Sequence, residues 1–110
     1  MVVTGLGAIS PVGIGVEEYW RGLIQGKNGI GPITFFDAGS FPVKVAAEVK
    51  DFQPTRYLEE KRADRAGRCA QFAMTAAFEA LASARLDMKS VDARRVGVVV
   101  GTAGMPELLA

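Results

Sequence analysis

The residue with the most evident chemical potential is a lone thiol. Cys69 follows Arg65 by one helical turn and Arg68 directly. Positive charge nearby lowers a thiol's pKa and favours the nucleophilic thiolate. A cysteine nucleophile also needs a base, and the 110-residue chain contains no histidine. Neither a Ser-His-Asp nor a Cys-His mechanism can be assembled from it, and a His-ligated metal is excluded as well. A single cysteine builds neither a disulfide framework nor a cysteine zinc site. Cys69 shares an apolar stripe with Phe72 and Ala73, so a packed structural thiol is the expectation. No catalytic residue, metal ligand or cofactor is assigned within the chain.

Three further stretches invite chemistry. "GLGAIS", Gly5–Ser10, resembles the start of a dinucleotide fingerprint. That fingerprint needs a third glycine opening a helix and an acidic residue about 20 positions on. Here Ser10 stands in place of the third glycine, Pro11–Gly13 interrupts the helix start, and the later region reads as loop. A glycine-rich turn from strand to helix is the better reading. "EEKRADRAGR", Glu59–Arg68, places Lys61, Arg65 and Arg68 at i, i+4 and i+7. It reads either as a solvated, salt-bridged helix start or as a docking patch for an acidic partner. "VVVGTAGM", Val98–Met105, puts small residues at the end of an apolar run. In open α/β sheets ligands bind beyond the carboxyl ends of strands, so Thr102, Ala103, Gly104 and Met105 are candidate pocket walls. Close packing of strand against helix is the alternative.

These stretches must be positioned by regular elements. Met1–Leu6 is a β-branched apolar run and predicts a buried strand. Val16–Gln25 predicts a helix whose apolar face is Val16, Tyr19, Trp20, Leu23 and Ile24. Glu17 and Glu18 suit its first turn, and Gly26 is the expected stop. Lys27–Phe41 reads as loop. Val43–Val49 alternates like a half-exposed edge strand. A long alanine-rich helix is expected over about Asp64–Arg85, then a buried strand at Val96–Gly101, then the start of a helix at Met105–Ala110. The order implies an α/β fold with a largely parallel sheet. An ending a few residues into that last helix, uncapped, suggests a piece of something larger.

Composition sets the outer limits. Apolar residues make up 49% of the chain and charged residues 23%, which is globular. One domain of this size can bury roughly two-thirds of its surface. The net charge of +1 gives no bulk electrostatic case for nucleic acid or an anionic membrane. No apolar run approaches the ~20 residues of a membrane span, and the N-terminus does not read as a signal peptide. A reducing, cytoplasmic setting fits the cysteine count.

Taken in order and spacing, "VVTGLGAISPVG", "EEYWRGLIQGKNGIGPITFFD", "AAEVKDFQP", "DRAGRCAQFAMTAAFEAL" and "RVGVVVGT" closely resemble the N-terminal part of the β-ketoacyl-acyl-carrier-protein synthases. The resemblance covers nearly the whole chain. It implies a thiolase-like fold of layered helix and sheet, of which this chain would be the N-terminal portion of the first half only. It implies a full-length acyltransferase, usually a homodimer, acting on acyl and malonyl thioesters of acyl carrier protein in fatty acid or polyketide synthesis. The family joins an acyl group held on a cysteine to malonyl-acyl carrier protein with loss of CO₂. Its cysteine and two histidines occur in motifs resembling "ACSS", "HGT" and "GH", beyond the region matched here. Cys69 falls instead in a helix motif resembling "DRFTQYAL". By the same resemblance, Lys61 and Arg65 align with basic positions that help dock the acidic carrier. Thr102, Ala103, Gly104 and Met105 align with a segment that contributes an acyl-pocket gate. The family commonly has "GSGIGG" or "GTAMGG" there, whereas this chain has "GTAGMPE". Gly104 at the gate would widen the pocket; Met105 would fill it with a flexible thioether. A non-catalytic partner of chain-length-factor type is the alternative role.

Overall fold

A computed structural model describes residues 1–103, which pack as two compact units. One comprises Met1–Gly7 with the chain from Pro54 onward; the other is Ala8–Gln53.

The second unit opens with a two-residue antiparallel hairpin. Strand β1 (Ile9–Ser10) pairs with β2 (Gly13–Ile14), Ile9 opposite Ile14 and Ser10 opposite Gly13. Ser10 ties the Pro11–Val12 turn. Its hydroxyl accepts from the Val12 amide at 3.3 Å and donates to the Gly13 carbonyl at 3.2 Å. Helix α1 (Val16–Ile24) follows, with Glu17 and Glu18 in its first turn. It ends as expected: Gly26 adopts φ +66°, its amide reaches the Leu23 carbonyl, and the Lys27 amide reaches Gly22. That is a Schellman closure, which favours glycine.

The buried side of α1 differs from the predicted apolar face. Gly22 is buried while Trp20, Leu23 and Ile24 are exposed. The cause is close backbone packing. A Cβ at Gly22 would meet the Val12 carbonyl at 2.6 Å, and one at Gly13 would overlap the backbone of Glu18 and Tyr19. The helix therefore sits down on glycine and leaves Trp20, Leu23 and Ile24 outside, while Val16 and Tyr19 of the predicted face are half-buried.

Strand β3 (Ile30–Pro32) lies within the stretch read as loop. It pairs antiparallel with β4 (Val45–Ala47), Gly31 opposite Ala46. Gly31 and Pro32 mask the strand in sequence, since proline cannot donate to a ladder. Beyond the ladder, Glu48 holds the chain that leaves β3. Its carboxylate accepts from the Thr34 amide (2.9 Å), the Thr34 hydroxyl (2.8 Å) and the Phe35 amide (3.2 Å). The Thr34 N–H is the largest influence on this carboxyl and holds its pKa below the ordinary 4.5, with the Thr34 hydroxyl and Phe35 amide acting in the same direction.

In the other unit, the long helix expected over about Asp64–Arg85 forms from Arg68 to Ser83, and a separate short helix precedes it. Helix α2 (Glu60–Ala63) is short; the chain breaks at Gly67, extended at φ −60° and ψ 159°, and α3 (Arg68–Ser83) follows. Gln71 joins them, its side-chain amide donating to the carbonyls of Ala63 (2.9 Å) and Ala66 (3.1 Å). Leu58, Ala63 and Thr75 are the buried residues here. Met1–Gly7 lies on α3: a Cβ at Gly5 would overlap the Ala80 carbonyl and the Ala84 backbone, and one at Gly7 the Ala76 carbonyl.

The expected parallel sheet is not formed among the described residues; both ladders are antiparallel. Met1–Leu6 and Val96–Gly101 carry the apolar pattern of strands but no ladder. A strand needs a neighbour to take its N–H and C=O groups. Val2 and Val3 face outward, and Val99 is 99% exposed. The predicted helix start at Met105–Ala110 lies outside the described residues.

Two outcomes test this packing. Gly7→Ala should destabilise the chain by about 1–3 kcal/mol, as forced overpacking does. Gly31→Ala, with nothing within 4 Å of its new methyl, should leave the denaturation midpoint unchanged or slightly raised. Equal effects would contradict the contact. For Glu48, a lowered folded pKa means its contribution is present above the ordinary value and lost as pH falls through the lowered one. The amide proton shifts of Thr34 and Phe35 should titrate together with a midpoint below 4.5, and Glu48→Gln should abolish that titration.

Candidate functional site

Lys61 and Arg62 stand on α2, Arg65 in the turn after it, and Arg68 at the start of α3; all four are exposed. The i, i+4 and i+7 spacing of Lys61, Arg65 and Arg68 is thus not carried by one helix: α2 ends at Ala63 and α3 begins at Arg68. The Gln71 amide that bridges them fixes this corner. Arg62 lies 3.7 Å from Glu59, a long pair between exposed groups that contributes little stability. The Arg68 guanidinium stacks 5.0 Å from the centre of the Phe72 ring. Lys61 and Arg65 make no ion pair among the described residues, so both charges remain available to an incoming anion.

Beside this corner is a small concavity of about 240 Å³ lined by Tyr57, Leu58, Glu59, Arg62 and Phe78. The amides of Tyr57 and Leu58 both donate to the Pro54 carbonyl, which rigidly presents these two residues at the end of a 3₁₀ turn over Pro54–Arg56. Sequence reading missed this feature, because Tyr57 and Leu58 stand in a charge-dense stretch and carry no periodic signal.

Within Ala8–Gln53, a cavity of about 380 Å³ brings together Ser10, Glu18, Lys27, Glu48, Lys50 and Asp51. Carboxylates and ammonium groups alternate there, and the two best-placed acceptors are engaged. Glu48 is taken up by Thr34 and Phe35, and a Glu18 oxygen accepts from the Ile14 amide at 3.3 Å.

Cys69 is exposed, not packed. The buried side of α3 runs through Thr75, with Gln71 one turn before it, and Cys69 lies about 200° around the helix from Gln71. These 110 residues hold no histidine that could serve as its base. Of the four pocket-wall candidates, Thr102 and Ala103 are exposed, and Gly104 and Met105 lie outside the described residues. No group of histidine, cysteine and acidic side chains suited to a metal occurs among the described residues. Nor is any described helix long and apolar enough to cross a membrane.

Comparison with known proteins places this arrangement. Residues 1–107 match the model of the "Beta-ketoacyl synthase, N-terminal domain". The chain is 46% identical over 102 residues to 3-oxoacyl-[acyl-carrier-protein] synthase 2 of Synechocystis, covering 93% of this chain and 24% of that protein. It is 44% identical over 108 residues to the Coxiella burnetii protein of the same name, covering 96% and 26%. A solved structure, the ishigamide ketosynthase/chain length factor, superposes with a TM-score of 0.73 at 43% identity, covering 82% of this chain and 22% of that one. The chain therefore spans about a quarter of the length of the relatives it matches. Its fold class is the α/β, thiolase-like one that the sequence implies. With the family model spanning nearly every residue and a solved ketosynthase superposing over four-fifths of it, the chain belongs to the β-ketoacyl synthase family, in its N-terminal domain.

Proposed function

We propose that this chain is the N-terminal part of a β-ketoacyl-acyl-carrier-protein synthase that elongates acyl chains by decarboxylative Claisen condensation. The supporting observation is its 44–46% identity to 3-oxoacyl-[acyl-carrier-protein] synthases over more than nine-tenths of its length. In that reaction a cysteine thiolate takes the acyl group from its thioester and expels the carrier thiol. Malonyl-acyl carrier protein loses CO₂, and the resulting carbanion attacks the acyl-cysteine carbonyl and releases the cysteine. Histidines and backbone amides assist charge development at the two carbonyls. On this reading Cys69 is not that nucleophile, and the 110 residues contain no histidine.

Its contribution is scaffold and recognition. Lys61 and Arg65 form the docking face for the acidic acyl carrier protein; their exposure and lack of ion pairs among the described residues support this. Thr102, Ala103, Gly104 and Met105 contribute to the acyl-pocket wall. The whole protein works in the cytoplasm as a homodimer. A second reading is a non-catalytic partner of chain-length-factor type, favoured by the similar solved structure that carries both names. The two differ in whether the rest of the protein supplies a cysteine that accepts an acyl group.

Charge reversal tests the docking role. In the synthase carrying this segment, Lys61→Glu with Arg65→Glu should raise KM for the carrier-bound substrate about tenfold, or ~1.4 kcal/mol, with kcat little changed. An unchanged KM would return both residues to an ordinary solvated face.

A further inference from the structure

We propose that Asn28 is a self-modification site: the folded chain converts it, through a succinimide formed with its own Gly29 amide, into a mixture of isoaspartate and aspartate. The reaction needs only this chain and water.

The fold demands both residues of this labile pair. Asn28 is the single asparagine of the sequence, and glycine follows it. Its side-chain Oδ1 accepts from the Ile30 amide at 2.9 Å, an Asx turn that carries the chain from the Gly26 closure of α1 into β3. Gly29 is half-buried, and a Cβ there would lie 2.9 Å from the Pro11 side chain and 3.1 Å from that of Val12. Asparagine makes the turn, glycine lets it sit against the β1–β2 hairpin, and their adjacency creates the site.

The turn also prepares the attack. It closes the carboxamide and the Gly29 peptide nitrogen into one hydrogen-bonded ring. The Ile30 N–H is aimed at the oxygen on which negative charge develops when Cγ is attacked, and a positioned donor stabilises such an oxyanion. With no Cβ, Gly29 places nothing in the path of its own nitrogen. In this chain Asn28 is exposed, which admits water and releases ammonia.

The Gly29 nitrogen gives its proton to solvent and bonds to Cγ. The tetrahedral carbon expels the side-chain nitrogen as ammonia, which takes up a proton from solvent. Water then adds to either ring carbonyl. Cleavage of the Cγ–N bond restores the ordinary backbone as aspartate. Cleavage between that nitrogen and the Asn28 backbone carbonyl carbon leaves isoaspartate, with the chain running through the side chain. One water is consumed and one ammonia released, with no redox change. Isoaspartate inserts a methylene just ahead of β3, whose first residue, Ile30, pairs with Ala47.

The test incubates the purified 110-residue chain beside the peptide Lys27–Gly31, maps both by mass spectrometry and counts isoaspartate by enzymatic methylation. The chain should convert at Asn28 within about tenfold of the peptide's rate, while Gln25, Gln53 and Gln71 stay intact. The Ile30 amide resonance of the folded chain should shift with the same time course. Asn28→Ser, whose hydroxyl keeps a weaker acceptor for the turn, should release no ammonia. Slower conversion than that limit would overturn the proposal, because folding would then protect the residue. Aspartate without isoaspartate, an Ile30 resonance that stays in place as Asn28 converts, or ammonia release undiminished in Asn28→Ser would overturn it too.

Discussion

The contact on which this half of the molecule depends is backbone against backbone. Gly5 and Gly7 lie so close to α3 that a single added methyl would overlap the carbonyls of Ala80 and Ala76. Glycine on one side and alanine on the other make this possible. A closely approached helix is a fixed helix, and α3 then fixes what is attached to it. Gln71 reaches from α3 to the carbonyls of Ala63 and Ala66, so α2 and the turn after it are held by two hydrogen bonds. Lys61 and Arg65 inherit their place from that chain of contacts.

The Ala8–Gln53 unit uses the same device independently. Gly13 and Gly22 let α1 settle onto the β1–β2 hairpin, and the β3–β4 ladder is secured beyond its end by the Glu48 carboxylate. Few side chains are fully buried in either unit, and the chain gains its order from close backbone approach and local capping. One consequence is a large remaining apolar surface: Trp20, Phe35, Val98 and Val99 are all exposed. Patches of that kind on a folded protein mark contact surfaces.

Helices were legible in the sequence because their periodicity and stops are local. Val16–Gln25 with its Gly26 closure is found almost residue for residue. The long helix was legible in type and nearly in extent: it runs from Arg68 to Ser83, starting a few residues later than expected because Gly67 is extended. Strands were read less well. Pairing is non-local, so β3 hides behind Gly31 and Pro32 until β4 is seen beside it, and Val96–Gly101 has the right residues without a described partner. The buried face of α1 was misjudged because hydrophobicity counts side chains, whereas the real contact is made by a glycine. Of the site, the basic residues could be named from their types and spacing, but the apolar concavity beside them could not. It is assembled from a 3₁₀ turn and a helix some 20 residues apart in the chain.

On the function proposed above, the chain supplies recognition and support to a ketosynthase and none of the groups that make or break bonds. The most direct measurement presents the purified 110-residue chain with acyl- and malonyl-carrier substrates and follows carrier binding and CO₂ release together. The account predicts salt-sensitive binding with no CO₂ released above the uncatalysed background. Condensation or decarboxylation by this chain alone would contradict it.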